Sequence, residues 1–453
     1  MNGYKYLLLL AVAIAIGTPS TIDSLRGNYC WQMIPALGAA ASLLLIVILE
    51  RLKLTINLPW LFPTAIGIGI IGALVSVILF YAYPIFTLPV PTGKYAVGTI
   101  SLHAIDKSRI ELCDPTTNTA NRELVVRVWY PAIANNSPKT PYFEDARLVP
   151  AGLFSHLRLV KTHAIQAAPI ATTATPYPII IYTPSWGGFK TDNTFQTQEL
   201  ASHGYVVIGL EHACSVPIAI YPSGRVIRSN LAADYTSSDA AMANFLNVAR
   251  SQLDLRTQDV RFILDRLPEF NTHPLLKGSL NLDRIGIFGH SFGGAVAAQA
   301  CAIDTRLKAG MNMDGLMFGS SAQQGADRPF LFMNSDYPRP TAAELRSTNG
   351  SKRRGQLTDE WGFQQRERWL ARHGGYNLTL LGAAHMSFSD YPLRSRFVNG
   401  GGKIPHTRAM EIINRYTLAF FDRHLKQINL PLLAPKSTSP FPEVIFQNLG
   451  FRE

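Results

Sequence analysis

The chain has 453 residues, of which 47% are apolar and 16% charged, against about 25% charged in an average soluble chain; that excludes disorder, a collagen-like fibre and a small disulfide scaffold. Its four cysteines, Cys30, Cys113, Cys214 and Cys301, are too few for a disulfide framework and lack the close spacing of a structural zinc site. A net charge of +11 suits nucleic acid or an anionic membrane surface, and with no RNP, zinc-finger or basic-helix pattern the expected partner is a membrane and not a nucleic acid.

The apolar residues are concentrated at the start. Residues 1–90 carry only Lys5, Arg26, Arg51 and Lys53 against Asp23 and Glu50, so +2 of the charge falls there and +9 on the remainder. Three apolar stretches occur, near 4–20, 31–49 and 60–86. The second and third run 19 and 27 residues without a charge, and about 20 apolar residues span a bilayer. The first is shorter, a retained helix or a signal-like segment. About three transmembrane helices are therefore expected over residues 1–90, with a catalytic domain over 91–453. Lys5 and the Arg51/Lys53 loop mark the cytoplasmic side, which leaves the catalytic domain extracytoplasmic. The Pro- and Gly-containing stretch Leu88 to Lys94 reads as an extended boundary.

The rest alternates strand and helix. Strands are predicted over Glu123 to Tyr130, Tyr177 to Tyr182, Tyr205 to Leu210, Arg284 to Phe288, Ala309 to Met313, Phe330 to Met333 and Asn377 to Leu381. Helices are predicted over Gln196 to His203, Leu253 to Leu267 (ending before Pro268), Gly294 to Ile303 and Arg408 to Leu425. Such alternation implies an α/β fold with a mostly parallel sheet and helices on both faces.

Between the strand RIGIF and a helix of small residues lies Gly289-His290-Ser291-Phe292-Gly293, a G-x-S-x-G pattern in a strand–turn–helix context. Gly289 and Gly293 permit the sharp turn, and Ser291 stands at a helix N-terminus, where free N–H groups favour a developing negative charge. A serine nucleophile needs a base and an orienting acid. His385 follows a strand and a short turn and is the expected base. His373 ends an amphipathic helix expected over Asp359 to His373 and reads as a surface residue. Asp314 and Asp336 both follow strands, and spacing alone favours neither as the acid.

These segments resemble the platelet-activating factor acetylhydrolase family of the plasma and intracellular type II kind, members of the α/β-hydrolase superfamily. The likeness rests on RVWYP (Arg127 to Pro131), ELASHGYVV with GLEH (Glu199 to His212), GHSFGG (Gly289 to Gly294) and HMSFSD (His385 to Asp390), and covers roughly Tyr95 to Leu425. It implies an α/β-hydrolase fold and Asp314 as the acid, with Asp336 the alternative. It also implies an oxyanion loop in Thr183 to Phe189, with the backbone N–H groups of Trp186 and Phe292 as donors. Here Pro184-Ser185 stands where the family usually has His-Gly. The implied reaction is hydrolysis of short or oxidatively truncated acyl esters at the second position of glycerophospholipids, with no metal or organic cofactor. The substrate is then a lipid or small ester. A broader membrane-anchored carboxylesterase or dienelactone-hydrolase-like enzyme, a serine peptidase on the same scaffold and a non-catalytic membrane receptor or scaffold are the competing readings. Acyl length, headgroup, oligomeric state and the pairing of Cys113 with Cys214 are left open.

Overall fold

The computed structural model describes residues 30–52, 60–113, 120–149, 152–229, 236–397, 402–435 and 439–451. They form two compact units. One comprises the described residues before Leu88 with Pro141–Lys161 and Leu393–Val398; the other comprises Leu88–Thr140, Thr162–Pro392 and Asn399–Glu453.

The first unit is built on helices α1 (Ile34–Arg51) and α2 (Leu61–Ala82). Among the described residues two helical stretches, Trp31–Leu49 and Pro63–Ala82, are long and apolar enough to cross a membrane, and only 33% and 22% of each is buried. The expectation of about three is thus corrected to two among the described residues; the segment near 4–20 and Lys53 lie outside them. Ile71 and Val77 are 62% and 66% exposed, a large apolar surface for water to meet. A side chain at Gly72 would strike Ala39 and the Pro35 carbonyl, so the glycine lets the two helices approach closely. Ser76 Oγ accepts from Ala36 N at 3.0 Å. The C-terminal carbonyl of α2 at Ala82 accepts from Ser395 Oγ (3.0 Å) and Arg396 N (2.9 Å), satisfying a helix end.

The second unit carries an eleven-stranded sheet. Its strands are β1 (Ala96–Ile110), β2 (Asn121–Ala132), β3 (Lys139–Pro141), β4 (Lys161–Gln166), β5 (Tyr177–Thr183), β6 (Val206–Glu211), β7 (Leu280–His290), β8 (Leu307–Met313), β9 (Phe330–Asn334), β10 (Gly374–Leu380) and β11 (Val444–Phe451). The order is β11-β10-β9-β8-β7-β5-β6-β2-β1-β4-β3. The run from β10 to β6 is parallel, while β1–β2, β2–β6 and β10–β11 are antiparallel. Ile179, Ile180 and Ile181 in β5 have no exposed surface, as a strand covered on both faces requires; burial of each contributes about 1.5–3 kcal/mol.

Apart from short helical turns, the helices among the described residues of this unit are α3 (Thr194–Ser202), α4 (Asp239–Phe270), α5 (Phe292–Ile303), α6 (Gly350–His373) and α7 (His406–Leu425). Helix α4 corrects the expected span at both ends. It starts at Asp239, just after the Ser238 cap and 14 residues before Leu253. It also runs through Pro268 to Phe270, because a proline in the last turn forfeits one hydrogen bond where the helix is ending anyway. Helix α6 ends at His373 as expected of the Asp359 to His373 segment, and begins nine residues earlier, at Gly350. The Leu88 to Lys94 stretch is pinned along α3: Thr92 N and Thr92 Oγ1 donate to the Glu199 carboxylate, and Gly93 N to Ser202 Oγ.

Candidate active site

The turn from β7 to α5 holds Ser291 at φ +55°, ψ −123°, a strained backbone for a residue with a Cβ. Two constraints keep it there. A side chain at Gly289 would strike the Gly293 backbone, and one at Gly293 would strike the Thr183 carbonyl, so only glycines let the turn close against β5. Ser291 N donates to Met313 O at 2.8 Å, locking the turn to β8. Helix α5 packs equally tightly: a side chain at Gly294 would meet Asn312.

Three of the predicted site residues come together at the C-terminal ends of the strands. His385 Nε2 lies 2.9 Å from Ser291 Oγ, and His385 Nδ1 lies 2.8 Å from Asp314 Oδ2. The second Asp314 oxygen accepts from Ser335 N and Ser335 Oγ, both at 2.8 Å. Burial pushes the Asp314 carboxyl up, but the His385 hydrogen bond and charge and the Ser335 donors outweigh it and hold the group down at about 2. Burial likewise lowers the His385 imidazole, and Asp314 more than reverses that, so its pKa ends above the ordinary histidine value. Asp336, the alternative acid, is not brought to His385; its carboxylate accepts from Gly382 N at 2.9 Å, in the turn before His385. His373 ends α6 and bonds Asp327 and the Gln324 carbonyl, away from this cluster.

Sequence reasoning missed His290. It is buried, its Nε2–H donates to the His385 carbonyl at 2.8 Å, and the two rings lie 4.8 Å apart. Burial, then the neighbouring imidazole, drives its pKa down to about 3, so it stays neutral and buttresses the His385 turn.

Trp186, Phe292 and the expected oxyanion loop lie beside Ser291. Phe292 is the first residue of α5, where N–H groups have no partner within the helix. The Trp186 ring packs edge-on to Phe292 at 4.9 Å and near Phe245 at 5.8 Å, forming an aromatic wall. A second missed residue, Arg256 of α4, donates from one nitrogen to the Pro184 carbonyl (2.9 Å) and the Ser185 carbonyl (3.2 Å). It is buried against the Phe292 ring, and burial lowers its pKa to about 9. The signal was present: Arg256 falls between Leu253 and Val260 on the buried stripe of α4, a charge where the pattern demands an apolar residue.

The base of the loop is held from below. Neutral His212 donates from Nδ1 to Asp259 (2.9 Å) and accepts from Thr183 Oγ1 (3.0 Å); burial depresses its pKa to about 4. Glu211 pairs with Lys190 at 2.8 Å. Asp390, the last residue of HMSFSD, caps α3 by accepting from Thr194 N (2.7 Å) and Phe195 N (3.2 Å). Glu111, Cys113 and Cys214 form the one cluster of metal-ligand type among the described residues, but the two sulfurs are joined in a disulfide, which leaves a single carboxylate.

A serine elbow, a carboxylate and an imidazole in this chain order on this sheet are the geometry of an α/β-hydrolase. The family model for platelet-activating factor acetylhydrolase, isoform II, matches residues 82–430. The chain belongs to this family. Relatives of the platelet-activating factor acetylhydrolase family include the Cavia porcellus protein of that name, 27% identical over 376 residues, which cover 75% of this chain and 78% of the relative. An Arthroderma benhamiae protein named probable 1-alkyl-2-acetylglycerophosphocholine esterase is 26% identical, covering 80% and 94%. Among solved structures, a ferulic acid esterase from Streptomyces cinnamoneus superposes with a TM-score of 0.62 at 29% identity, covering 80% of this chain and 98% of that one. With its family and an esterase fold established, the chain is a carboxylic ester hydrolase of the platelet-activating factor acetylhydrolase family.

Proposed function

We propose that this enzyme cleaves short or truncated acyl esters of glycerophospholipids through an acyl-enzyme on Ser291. His385 takes the Ser291 proton as the hydroxyl attacks the ester carbonyl. Asp314 holds the Nδ1–H tautomer and stabilises the imidazolium. The backbone N–H groups of Trp186 and Phe292 receive the oxyanion; one such donor contributes about 3–4 kcal/mol to the transition state. His385 then protonates the leaving alcohol and activates water for deacylation. No metal or organic cofactor enters these steps. The observation that carries the reading is the unbroken hydrogen-bonded chain from Ser291 Oγ through His385 to Asp314.

The same proposal places the catalytic domain, residues 91–453, outside the membrane and residues 1–90 within it as a multi-pass module. The exposed apolar helices α1 and α2 support the anchoring. The Cys113–Cys214 disulfide supports an oxidising, extracytoplasmic compartment. The likeness to a ferulic acid esterase favours a second reading, a general carboxylesterase, which a series of phospholipids and soluble p-nitrophenyl esters of graded acyl length separates from the first. The central test is labelling of the full chain with a fluorophosphonate probe. Labelling lost in Ser291→Ala and kept in Ser185→Ala is expected; a folded wild type that takes no label refutes the mechanism.

A further inference from the structure

A cavity of about 850 Å³ opens beside His385 and Asp314, between the C-terminal ends of β8, β9 and β10 and helix α6. That is the size of a small-molecule site. Its walls include His385 and Asp314 but not Ser291, Trp186 or Phe292; it lies on the imidazole's side of the nucleophile. In ester hydrolysis the alcohol leaves with a proton from the imidazole. The half of the substrate that departs as alcohol therefore faces this cavity.

One cation in its wall has no partner of its own. Arg366 of α6 lies with its guanidinium over the Phe363 ring at 4.8 Å, and among the described residues no carboxylate comes within ion-pair distance of it. The neighbouring acids of the helix are committed elsewhere: Glu360 and Glu367 both pair with Arg339, at 2.7 and 2.8 Å. Within the cavity, Asp314 is taken by His385 and Ser335, and Asp336 by Gly382 N. Burial raises the pKa of Asp359, which favours its uncharged form. Burial also lowers that of Arg366 more than the nearby charges of Asp314 and Glu367 raise it, as for a cation taken from water with no carboxylate in direct contact. A guanidinium forks onto two oxygens of a phosphate or carboxylate.

We propose that Arg366 is the anion subsite for the leaving alcohol, binding an acidic group, a phosphodiester or a carboxylate, carried a few bonds from the scissile ester. The subsite rests on the ester-hydrolase mechanism above and adds the chemistry of its second substrate half. In a 2-acyl glycerophospholipid the phosphorus lies four bonds from the ester oxygen, which suits one cavity shared by His385 and Arg366.

The test uses the full chain in neutral detergent with Arg366→Gln and Arg366→Lys. Three esters of one short acyl group are compared, with a glycerophosphodiester, a carboxylate-bearing or a neutral leaving alcohol. Arg366→Gln is expected to lower kcat/KM on an anionic ester by about tenfold or more, mostly through KM, and by less than twofold on the neutral ester. Arg366→Lys is expected to fall between, because the charge remains and the fork is lost. A selective loss on the phosphodiester assigns a lipid headgroup; a selective loss on the carboxylate ester assigns an acidic small ester. Equal loss on all three esters, or loss on none, overturns the subsite while leaving the hydrolase intact. A separate arm measures binding of glycero-3-phosphocholine to Ser291→Ala with and without Arg366→Gln. It reports the subsite even where turnover fails: binding that Arg366→Gln does not weaken overturns it.

Discussion

Asp314→Asn is the sharpest probe of the site. The Asp314 carboxylate does two jobs with two oxygens: one accepts from His385 Nδ1 and the other accepts two donors from Ser335. An amide has only one acceptor oxygen. With the Ser335 N–H and hydroxyl both aimed at one side, the oxygen of the new side chain settles there and its NH2 turns to His385. Nδ1 must then be the acceptor, the proton moves to Nε2, and the base facing Ser291 is lost. The charge that raises the His385 pKa disappears as well. A wrong tautomer of this kind costs on the order of 10⁴ in kcat, or about 5 kcal/mol of barrier. Asp336→Asn, at a carboxylate that accepts from Gly382 N, is expected to cost less than about tenfold, within one neutral hydrogen bond. The assay is kcat and KM on a soluble short-chain p-nitrophenyl ester, with thermal melting to confirm folding. If Asp336→Asn falls as far as Asp314→Asn, or if Asp314→Asn keeps a tenth of wild-type kcat, the assignment of the acid is wrong.

Arg256→Met is expected to lower kcat by about 10- to 100-fold with little change in KM, because it frees the Pro184 and Ser185 carbonyls and loosens the oxyanion loop without touching the nucleophile; an unchanged kcat removes Arg256 from the site. The acid limb of kcat/KM rises with pH through a value above 6.5, since His385 must be neutral to act and Asp314 raises its pKa; a limb centred below 6.5 contradicts the Asp314 contact. His212 works in the opposite sense. Its pKa is about 4 folded and 6.5 unfolded, so the unfolded chain takes up a proton that the folded chain refuses, and stability falls as pH drops through that window. The loss from this group is about 2 kcal/mol at pH 5, read by urea denaturation at pH 7 and pH 5, with His212→Asn reducing the difference by about that amount. Reducing the Cys113–Cys214 bond, which closes a separation of 101 residues, is expected to lower stability by up to about 4–5 kcal/mol; a melting temperature indifferent to reductant shows that the two thiols are not joined in the protein as purified.

Much of this site was legible in the sequence because it obeys local rules. Ser291 announces itself by glycines two residues either side, between a β-branched strand and a helix of small residues. The central strands announce themselves by runs such as YPIIIYT that only a doubly covered strand tolerates. What the sequence hides is set by direction and register. Asp314 and Asp336 end neighbouring strands, and spacing leaves open which carboxylate faces His385; the family resemblance implies Asp314, and it is the one in contact, at 2.8 Å. Arg256 and His290 serve the site from buried positions, where their neighbours in space are distant in sequence. Strand β1 went unseen because polar residues interrupt its alternation: its Asp106 and Arg109 belong to a buried ion network with Asp259 and Arg122.

The cap on α3 has a wider meaning than its hydrogen bonds suggest. Asp390 grips Thr194 and Phe195, and Asn193 Nδ2 donates to the Phe388 carbonyl at 2.7 Å. The turn that begins at His385 and the loop that contains Trp186 thus share one anchorage at the start of a short helix, beside the separate holds of His290 and Arg256. Under the proposed mechanism, whatever shifts that anchorage moves proton transfer and charge stabilisation together, and substitutions at Asp390 and Asn193 should prove strongly non-additive.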